Sequence, residues 1–447
     1  MNKFDVIVIG GSAAGLVSAM TGKANYPDKK FLLIRKEKDA LVPCGIPYIF
    51  GTLESSDQNV MPLGGLSKAG IEFKQDEVIE VDRKNKTVKT ASGEKFQYEK
   101  LIFATGSTPH VPNWLKGSNL ENVFVVPKNK LYLDELKSKL NNMKKIVVIG
   151  AGFIGVEVSD ELNKCGKDVT LVEILPSILG KAFDIDIARE AENTLIERGL
   201  NLKTNVAVKE LIGTDKVQEV ILENGEKLEA DAVILAMGYT PNTCLAKKSG
   251  LELNKLGALE VDSYLRTDDK DIFAAGDCAA KVDFITRKDT PIMLASTAAS
   301  EARIVGMNLY KLSVMRSFTG TVAIFSTAIG DISFASAGIT EEESKRNGFE
   351  VTVGKFQGVD KHPATLPGTK KQIVKIIAAK DSKIIMGGEV IGGESAGELI
   401  NVIGLAIQKN MTVTELYTSQ IGTHPLLTSA PTQYPLIKAV ENIILKI

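Results

Sequence analysis

The sequence predicts an α/β fold: two doubly wound units with parallel sheets, followed by a smaller α+β domain. Three observations carry this. A strand–turn–helix–strand unit occurs twice, about 140 residues apart. An apolar strand much later in the chain ends in Gly-Asp. From Arg316 onward, short strands and helices replace the earlier pattern. The first copy runs Asp5–Ile9 (strand), Gly10-Gly11-Ser12-Ala13-Ala14-Gly15 (turn), Leu16–Ala24 (helix) and Phe31–Ile34 (strand). The second runs Lys145–Ile149, Gly150-Ala151-Gly152-Phe153-Ile154-Gly155, Val156–Cys165 and Val169–Glu173. The late strand, Asp271–Ala275 before Gly276-Asp277, returns the chain to the first unit. The tail offers strands at Thr321–Ser326 and Ile373–Ala378, and helices at Glu341–Asn347 and Glu398–Lys409. The expected partition is residues 1–113 with 242–315, residues 114–241, and residues 316–447.

Composition agrees with several domains and limits the function classes. The chain has 447 residues, 44% hydrophobic and 24% charged; at roughly 150 residues per domain this suggests about three. A net charge of −1 gives no strong pull toward nucleic acid or an anionic membrane. No apolar run reaches the ~18 residues of a membrane helix, and Met1–Gly10 reads as strand and turn rather than a signal peptide. Cys44, Cys165, Cys244 and Cys278 are far apart, without a CxxC. That argues against a disulfide framework or a metal site and toward a reducing cytoplasm. The histidines are His110, His362 and His424.

The glycine turns imply dinucleotides. A tight turn needs residues without a Cβ, and the pyrophosphate must approach backbone N–H groups at a helix N-terminus. The second copy is complete, with Gly150, Gly152 and Gly155, and Glu173 at the end of the next strand. An acid there accepts hydrogen bonds from ribose hydroxyls and repels a 2′-phosphate, favouring NADH over NADPH; the plainer alternative is a solvated strand end. The first copy departs from the pattern: Ser12 replaces the second glycine, and Arg35 stands where the acid is expected, with Glu37 two further on. A flavin reading survives because Asp277 is placed to bind a ribityl chain, and Thr105-Gly106-Ser107, after the strand Leu101–Ala104, is a further turn that lets backbone approach a cofactor.

With these segments in hand (Val6–Gly10, Ala104–Ser107, Gly150–Gly155 followed by Glu157, Ala275–Asp277), the chain resembles the pyridine nucleotide–disulfide oxidoreductases over essentially its whole length. The resemblance implies FAD and NAD(P) domains of Rossmann type, a C-terminal dimerisation domain, and a homodimer whose active site is shared between subunits. It implies an FAD site of Gly10, Ser12, Ala13, Ala14, Gly15, Arg35, Lys36, Val42, Pro43, Val78, Ala104, Thr105, Gly106, Gly276, Asp277 and Ala295. It implies an NADH site of Gly150, Gly152, Phe153, Ile154, Gly155, Glu157, Glu173 and Gly238, and no metal. Phe153 is the aromatic that gates the flavin face in such proteins, unless it is simply packed in the core; Glu157 contacts the nicotinamide side.

Within that family, Val42-Pro43-Cys44-Gly45-Ile46-Pro47-Tyr48 looks like the single-cysteine branch of coenzyme A disulfide reductases, persulfide and polysulfide reductases, and NADH oxidases and peroxidases. The apolar run from Gly45 to Gly51 is read as the start of a helix, which would lower the Cys44 pKa; a lone cysteine is otherwise a small buried apolar residue. Cys165, Cys244 (in an apparent turn) and Cys278 fit packing better. Ala13 replaces the turn histidine of the peroxidase and water-forming oxidase types. The tyrosines of coenzyme A disulfide reductases are missing from His362–Gly368 and near His424, although Tyr417 and Tyr434 are close in sequence. Thr423-His424-Pro425 resembles the proton-donating His-Pro of dithiol reductases, but Ser429 stands where its orienting acid belongs, so His424 is either catalytic or a capping, packed histidine. The preferred reading is NADH-dependent reduction of a sulfur–sulfur bond in a small molecule. The alternatives are an NADH oxidase using dioxygen, an electron-transfer reductase for a protein partner, and a flavin-binding sensor.

Overall fold

The computed structural model describes residues 2–315 and 320–446; the domain limit expected at Arg316 falls outside them. The first parallel sheet has the spatial order Ile272–Ala274, Lys100–Phe103, Val6–Ile9, Phe31–Arg35 and Ile71–Gln75. Its central strands are apolar without alternation and buried over Val6–Ile9, Phe31–Ile34 and Leu101–Phe103, as a sheet covered on both faces requires. The helices Ala13–Asn25 and Ala295–Met307 pack together on one face. Their close approach uses small residues: a Cβ on Gly306 would meet the Gly22 nitrogen at 2.8 Å.

The second parallel sheet repeats the plan, in the order Val123–Val125, Ala232–Leu235, Lys145–Ile149, Asp168–Val172 and Asn201–Lys203. The short antiparallel pair Ser107–Pro109 and Tyr239–Pro241 joins the two units. Each of its strands leaves a left-handed glycine, Gly106 or Gly238, so the units meet where their turns lie.

The tail is a five-stranded antiparallel sheet, Ile324–Ile329, Ile332–Gly338, Ile385–Gly392, Lys371–Ala379 and Val351–Val359. Helices Ala396–Gln408 and Pro435–Ile444 cover it through Ile400, Ile403, Ile407, Leu436, Val440 and Ile443. Among the described residues, no helix is long and apolar enough to cross a membrane.

Candidate active site

Three helices point their N-termini into one cavity, and none is closed there. Ser12, Gly152 and Leu294 occupy the N-cap positions of helices Ala13–Asn25, Phe153–Lys164 and Ala295–Met307. None makes a side-chain cap bond, and none of the helices carries an acid in its first turn. Three other helices are capped instead: Asn129, Thr340 and Thr412 accept from backbone N–H groups. Unsatisfied helix N-termini around a large space are donors awaiting anionic or carbonyl oxygens. The cavity measures about 1020 Å³, at the upper end of small-molecule and cofactor sites.

Its walls hold most of the residues expected to bind cofactors. Gly10, Ser12, Ala13, Ala14, Arg35, Lys36, Pro43, Val78, Ala104, Thr105, Gly106, Gly276, Asp277 and Ala295 line it, as do Gly152, Phe153, Ile154, Glu157 and Gly238. Gly15, Gly150 and Gly155 shape the turns from behind. A Cβ on Gly15 would lie 2.0 Å from the Gly10 carbonyl oxygen, and one on Gly155 1.9 Å from that of Gly150. Val42 is exposed beside the cavity, its carbonyl accepting from Asn59 Nδ2 at 3.1 Å.

The two strand ends are built with opposite polarity. Glu173 is buried; its Oε2 accepts from the Ala151 N–H at 2.6 Å and its Oε1 from the Leu175 N–H at 2.8 Å. Arg35, equally buried, donates to the carbonyls of Glu37 (2.8 Å), Gly11 (3.1 Å) and Lys38. Gly11 and Ala151 hold the same place in their turns. Lys36 pairs with Glu77 at 2.9 Å.

Asp277 is placed by a buried framework. Gly276 is left-handed at φ +79. Its N–H donates to Glu301 Oε2 at 2.9 Å and its carbonyl accepts from Lys281 Nζ at 2.7 Å, with Lys281 and Glu301 themselves paired at 3.0 Å. Both charges are buried and fully partnered, the condition under which an interior ion pair is tolerated. The Asp277 carboxylate accepts from Lys128 Nζ at 2.6 Å and Ser107 Oγ at 2.7 Å. Burial opposes its ionisation, but the Lys128 charge and these bonds outweigh that and hold its pKa below the ordinary range.

Cys44 opens into the cavity between these groups. The α-helix expected after it is absent. Pro43–Gly45 and Pro47–Phe50 are two short 3₁₀ turns; two prolines within five residues break the run before an α-helix can form. No helix therefore begins at Cys44 itself to lower the thiol pKa. Burial in the cavity wall and then the charge of Glu157 push it up, and Lys128 offsets part of this. Burial raises Glu157 to about 7, against the bond it accepts from Thr327 Oγ1 at 2.8 Å. Cys44 thus shares its wall with a carboxyl that titrates near neutrality, one of the signatures of a functional site.

The other cysteines divide. Cys278 is wholly buried behind Asp277, and Cys165 caps the end of helix Phe153–Lys164. Cys244, exposed rather than packed, begins a short helix, Cys244–Lys248, where a turn was expected, and also lines the cavity. His424 lies on an exposed loop of the tail and does not line the cavity of its own chain. Its Nδ1 accepts from the Leu426 N–H at 3.3 Å, which leaves the proton on Nε2. Ser429 is turned away from it, donating to Val359 O and Gln372 Oε1. His110 and His362 are loop residues, His362 Nδ1 bonded to Thr428 O at 2.8 Å. Sequence reasoning missed Lys128, Thr327 and Phe325. None belongs to a glycine motif; Lys128 and Phe325 line the cavity and Thr327 bonds its Glu157, all by tertiary packing alone.

Known proteins share this sequence pattern and fold. Residues 4–302 match the family model described as pyridine nucleotide-disulphide oxidoreductase, and residues 324–434 match that family's dimerisation domain. A Methanocaldococcus jannaschii protein named NADH oxidase is 30% identical over 453 residues, covering 99% of each chain. A Pyrococcus horikoshii protein named NAD(P)H coenzyme A polysulfide/persulfide reductase is 28% identical over 442 residues, 97% of each chain. The solved structure of an NAD-dependent persulfide reductase from A. fulgidus superposes with a TM-score of 0.91 at 28% identity, covering 99% of this chain and 83% of that one. The chain belongs to the pyridine nucleotide-disulphide oxidoreductase family. FAD and NADH are its cofactors, and the uncapped helices, the glycine turns and Asp277 fit them.

Proposed function

We propose that this member of the pyridine nucleotide-disulphide oxidoreductase family uses NADH to reduce a sulfur–sulfur bond of a small molecule, with Cys44 as its redox-active sulfur. The observation that carries the reading is the position of Cys44: it opens into the cavity shared by both glycine turns, electrostatically coupled to Glu157, Lys128 and Asp277. The relatives named for polysulfide and persulfide reduction support it.

Residues then take roles. The turn Gly10–Gly15, Ala104–Gly106, Gly276, Asp277 and Ala295 hold FAD, with Arg35, Lys36, Val42, Pro43 and Val78 around it. Gly150–Gly155, Glu173 and Gly238 hold NADH. With both Glu173 oxygens already accepting from backbone, their remaining lone pairs take ribose hydroxyls and would meet a 2′-phosphate with repulsion. Bound FAD supplies a two-electron relay between NADH and the cavity sulfur. The Cys44 thiolate attacks the substrate, breaking its S–S bond, releasing one thiolate and forming a mixed disulfide. Two electrons then cleave that disulfide, regenerating the Cys44 thiolate and releasing the second thiol, so one NADH and one proton are consumed per bond. In a homodimer, His424 of one protomer offers an Nε2–H hydrogen bond to the thiolate leaving the other protomer's site, and the proton consumed comes from solvent.

The relative named NADH oxidase favours a second reading, dioxygen as acceptor with a Cys44 sulfenic acid. Anaerobic turnover decides. Wild type should oxidise NADH under argon with polysulfide or a small disulfide, and Cys44→Ser should lose at least about 100-fold of that rate, the scale on which losing a nucleophile acts. Strict dependence on oxygen would favour the second reading. An unimpaired Cys44→Ser would remove both in favour of electron transfer to a protein.

A further inference from the structure

One strand of the tail reaches across to the second nucleotide unit. Ile324, Phe325 and Ser326, from strand Ile324–Ile329, line the cavity. The Phe325 ring lies flat on that of Phe153, centroids 4.9 Å apart and planes 15° apart, while Phe183 meets Phe153 at 6.3 Å and 55°. Thr327, two residues further and buried, donates from Oγ1 to Glu157 Oε1 at 2.8 Å.

The match has a geometric basis. Phe153 and Glu157 are four residues apart on one helix, so they share a face with a rise of about 6 Å. Phe325 and Thr327 are two apart on a strand and share a face with a rise of about 6.6 Å. Two helix side chains and two strand side chains therefore meet in register.

We propose that Phe325 and Thr327 are positioning residues for the nicotinamide end of the cavity, Phe325 holding the Phe153 ring shut by stacking and Thr327 fixing the Glu157 carboxyl beside Cys44. The inference rests on the reading of this cavity as the NADH and FAD site, and not on which acceptor Cys44 serves. For nicotinamide to take the place of the Phe153 ring, that ring must leave Phe325, so the stack sets the closed population. The Glu157 carboxyl faces Glu161 on its own helix, Tyr48 and Cys44 on the two 3₁₀ turns, and Thr327 on the tail, while Lys128 and Asp277 face Cys44. Thr327 is the neutral donor that favours the charged carboxylate.

Two measurements test it. In FAD-loaded protein, anaerobic stopped-flow reduction by NADH should change by roughly three- to tenfold in Phe325→Leu, the scale of one aromatic pair. Phe153→Leu should act in the same direction, and the double variant should add little to either single one. In cofactor-free protein, the pH profile of Cys44 alkylation by iodoacetamide, followed by peptide mass spectrometry, should show its Glu157 inflection displaced upward in Thr327→Val and restored in Thr327→Ser. Additive Phe effects, or an unchanged Phe325→Leu, would overturn the gate; a Thr327→Val profile matching wild type would overturn the Thr327 role. Flavin reduction needs no acceptor, so a failure of the sulfur reading leaves both readouts standing.

Discussion

The two nucleotide units use the same backbone and opposite side chains. Gly10 and Gly150 open their turns at φ +106 and +99. Gly15 and Gly155 leave the same gap to the first carbonyl, and both helices start uncapped. At the end of the following strand, however, Glu173 accepts from the N–H of the turn's second residue, where Arg35 donates to that residue's carbonyl. What sterics dictate is repeated; what hydrogen bonding merely requires is met with either sign. The second residue of each turn is tied to the strand end, through its N–H in one unit and through its carbonyl in the other.

The comparison breaks most severely where the units are alike. Gly15→Ala and Gly155→Ala each drive a Cβ to about the same impossible distance from a backbone oxygen, 2.0 and 1.9 Å. Gly15→Ala should yield protein without bound flavin. Gly155→Ala should keep the yellow flavin absorbance but slow its reduction by NADH at least about 100-fold, because a misplaced turn forfeits the pre-aligned geometry of the reactants. Equal loss of flavin in both variants would show that the two turns are not independent sites.

The next effect sharpens the difference. Glu173→Arg should move the NADPH-to-NADH ratio of kcat/KM upward by about 100-fold, since a repulsion becomes an attraction while the Ala151 N–H loses its acceptor. Arg35→Glu should do something else: three backbone carbonyls lose their donor and a carboxylate is buried among them. Flavin affinity should fall by about tenfold, on the scale of one hydrogen-bonded charge, with no change in nucleotide preference. If Arg35→Glu instead tightened FAD, the first unit would be waiting for an acid, and the arginine would not be its replacement.

This pattern also explains what the sequence disclosed. The turns were legible because glycine at a fixed spacing is a steric demand that few other sequences meet, and Asp277 because it follows Ala-Gly at the end of an apolar strand. The surroundings of Cys44 were misread because the apolar run suggested a helix, while Pro43 and Pro47 made two 3₁₀ turns of it. Lys128, Phe325 and Thr327 carried no local signal. A lysine that pairs with Asp277 from 149 residues away, or a phenylalanine stacked on Phe153 from the tail, is visible only after the domains have packed.

The smallest expected effect concerns how the second unit is fastened to the tail. Lys375, buried in the tail sheet, reaches Asp184 at 2.7 Å, Asp186 at 3.3 Å, Glu341 at 3.4 Å and Glu389 at 3.5 Å. The acids spaced for a cation thus already surround an ammonium. Burial raises Asp184, but Lys375 and the Glu341 and Glu342 N–H groups outweigh it and leave its pKa low. Glu389 goes the other way: burial, then the Asp184 charge, push it up to about 8 despite Lys375. Its folded pKa lies above its unfolded one, so its contribution to stability is complete below about pH 4.5 and is lost as pH rises through about 8. Glu389→Gln keeps the shape and cannot ionise. The variant should therefore melt within about 1 °C of wild type at pH 5 and roughly 3–5 °C above it at pH 9, since the shift to about 8 corresponds to several kcal/mol and about 1 kcal/mol moves a chain of this size by about 1 °C. A difference independent of pH would mean that Glu389 is ionised throughout and that Lys375 balances it fully.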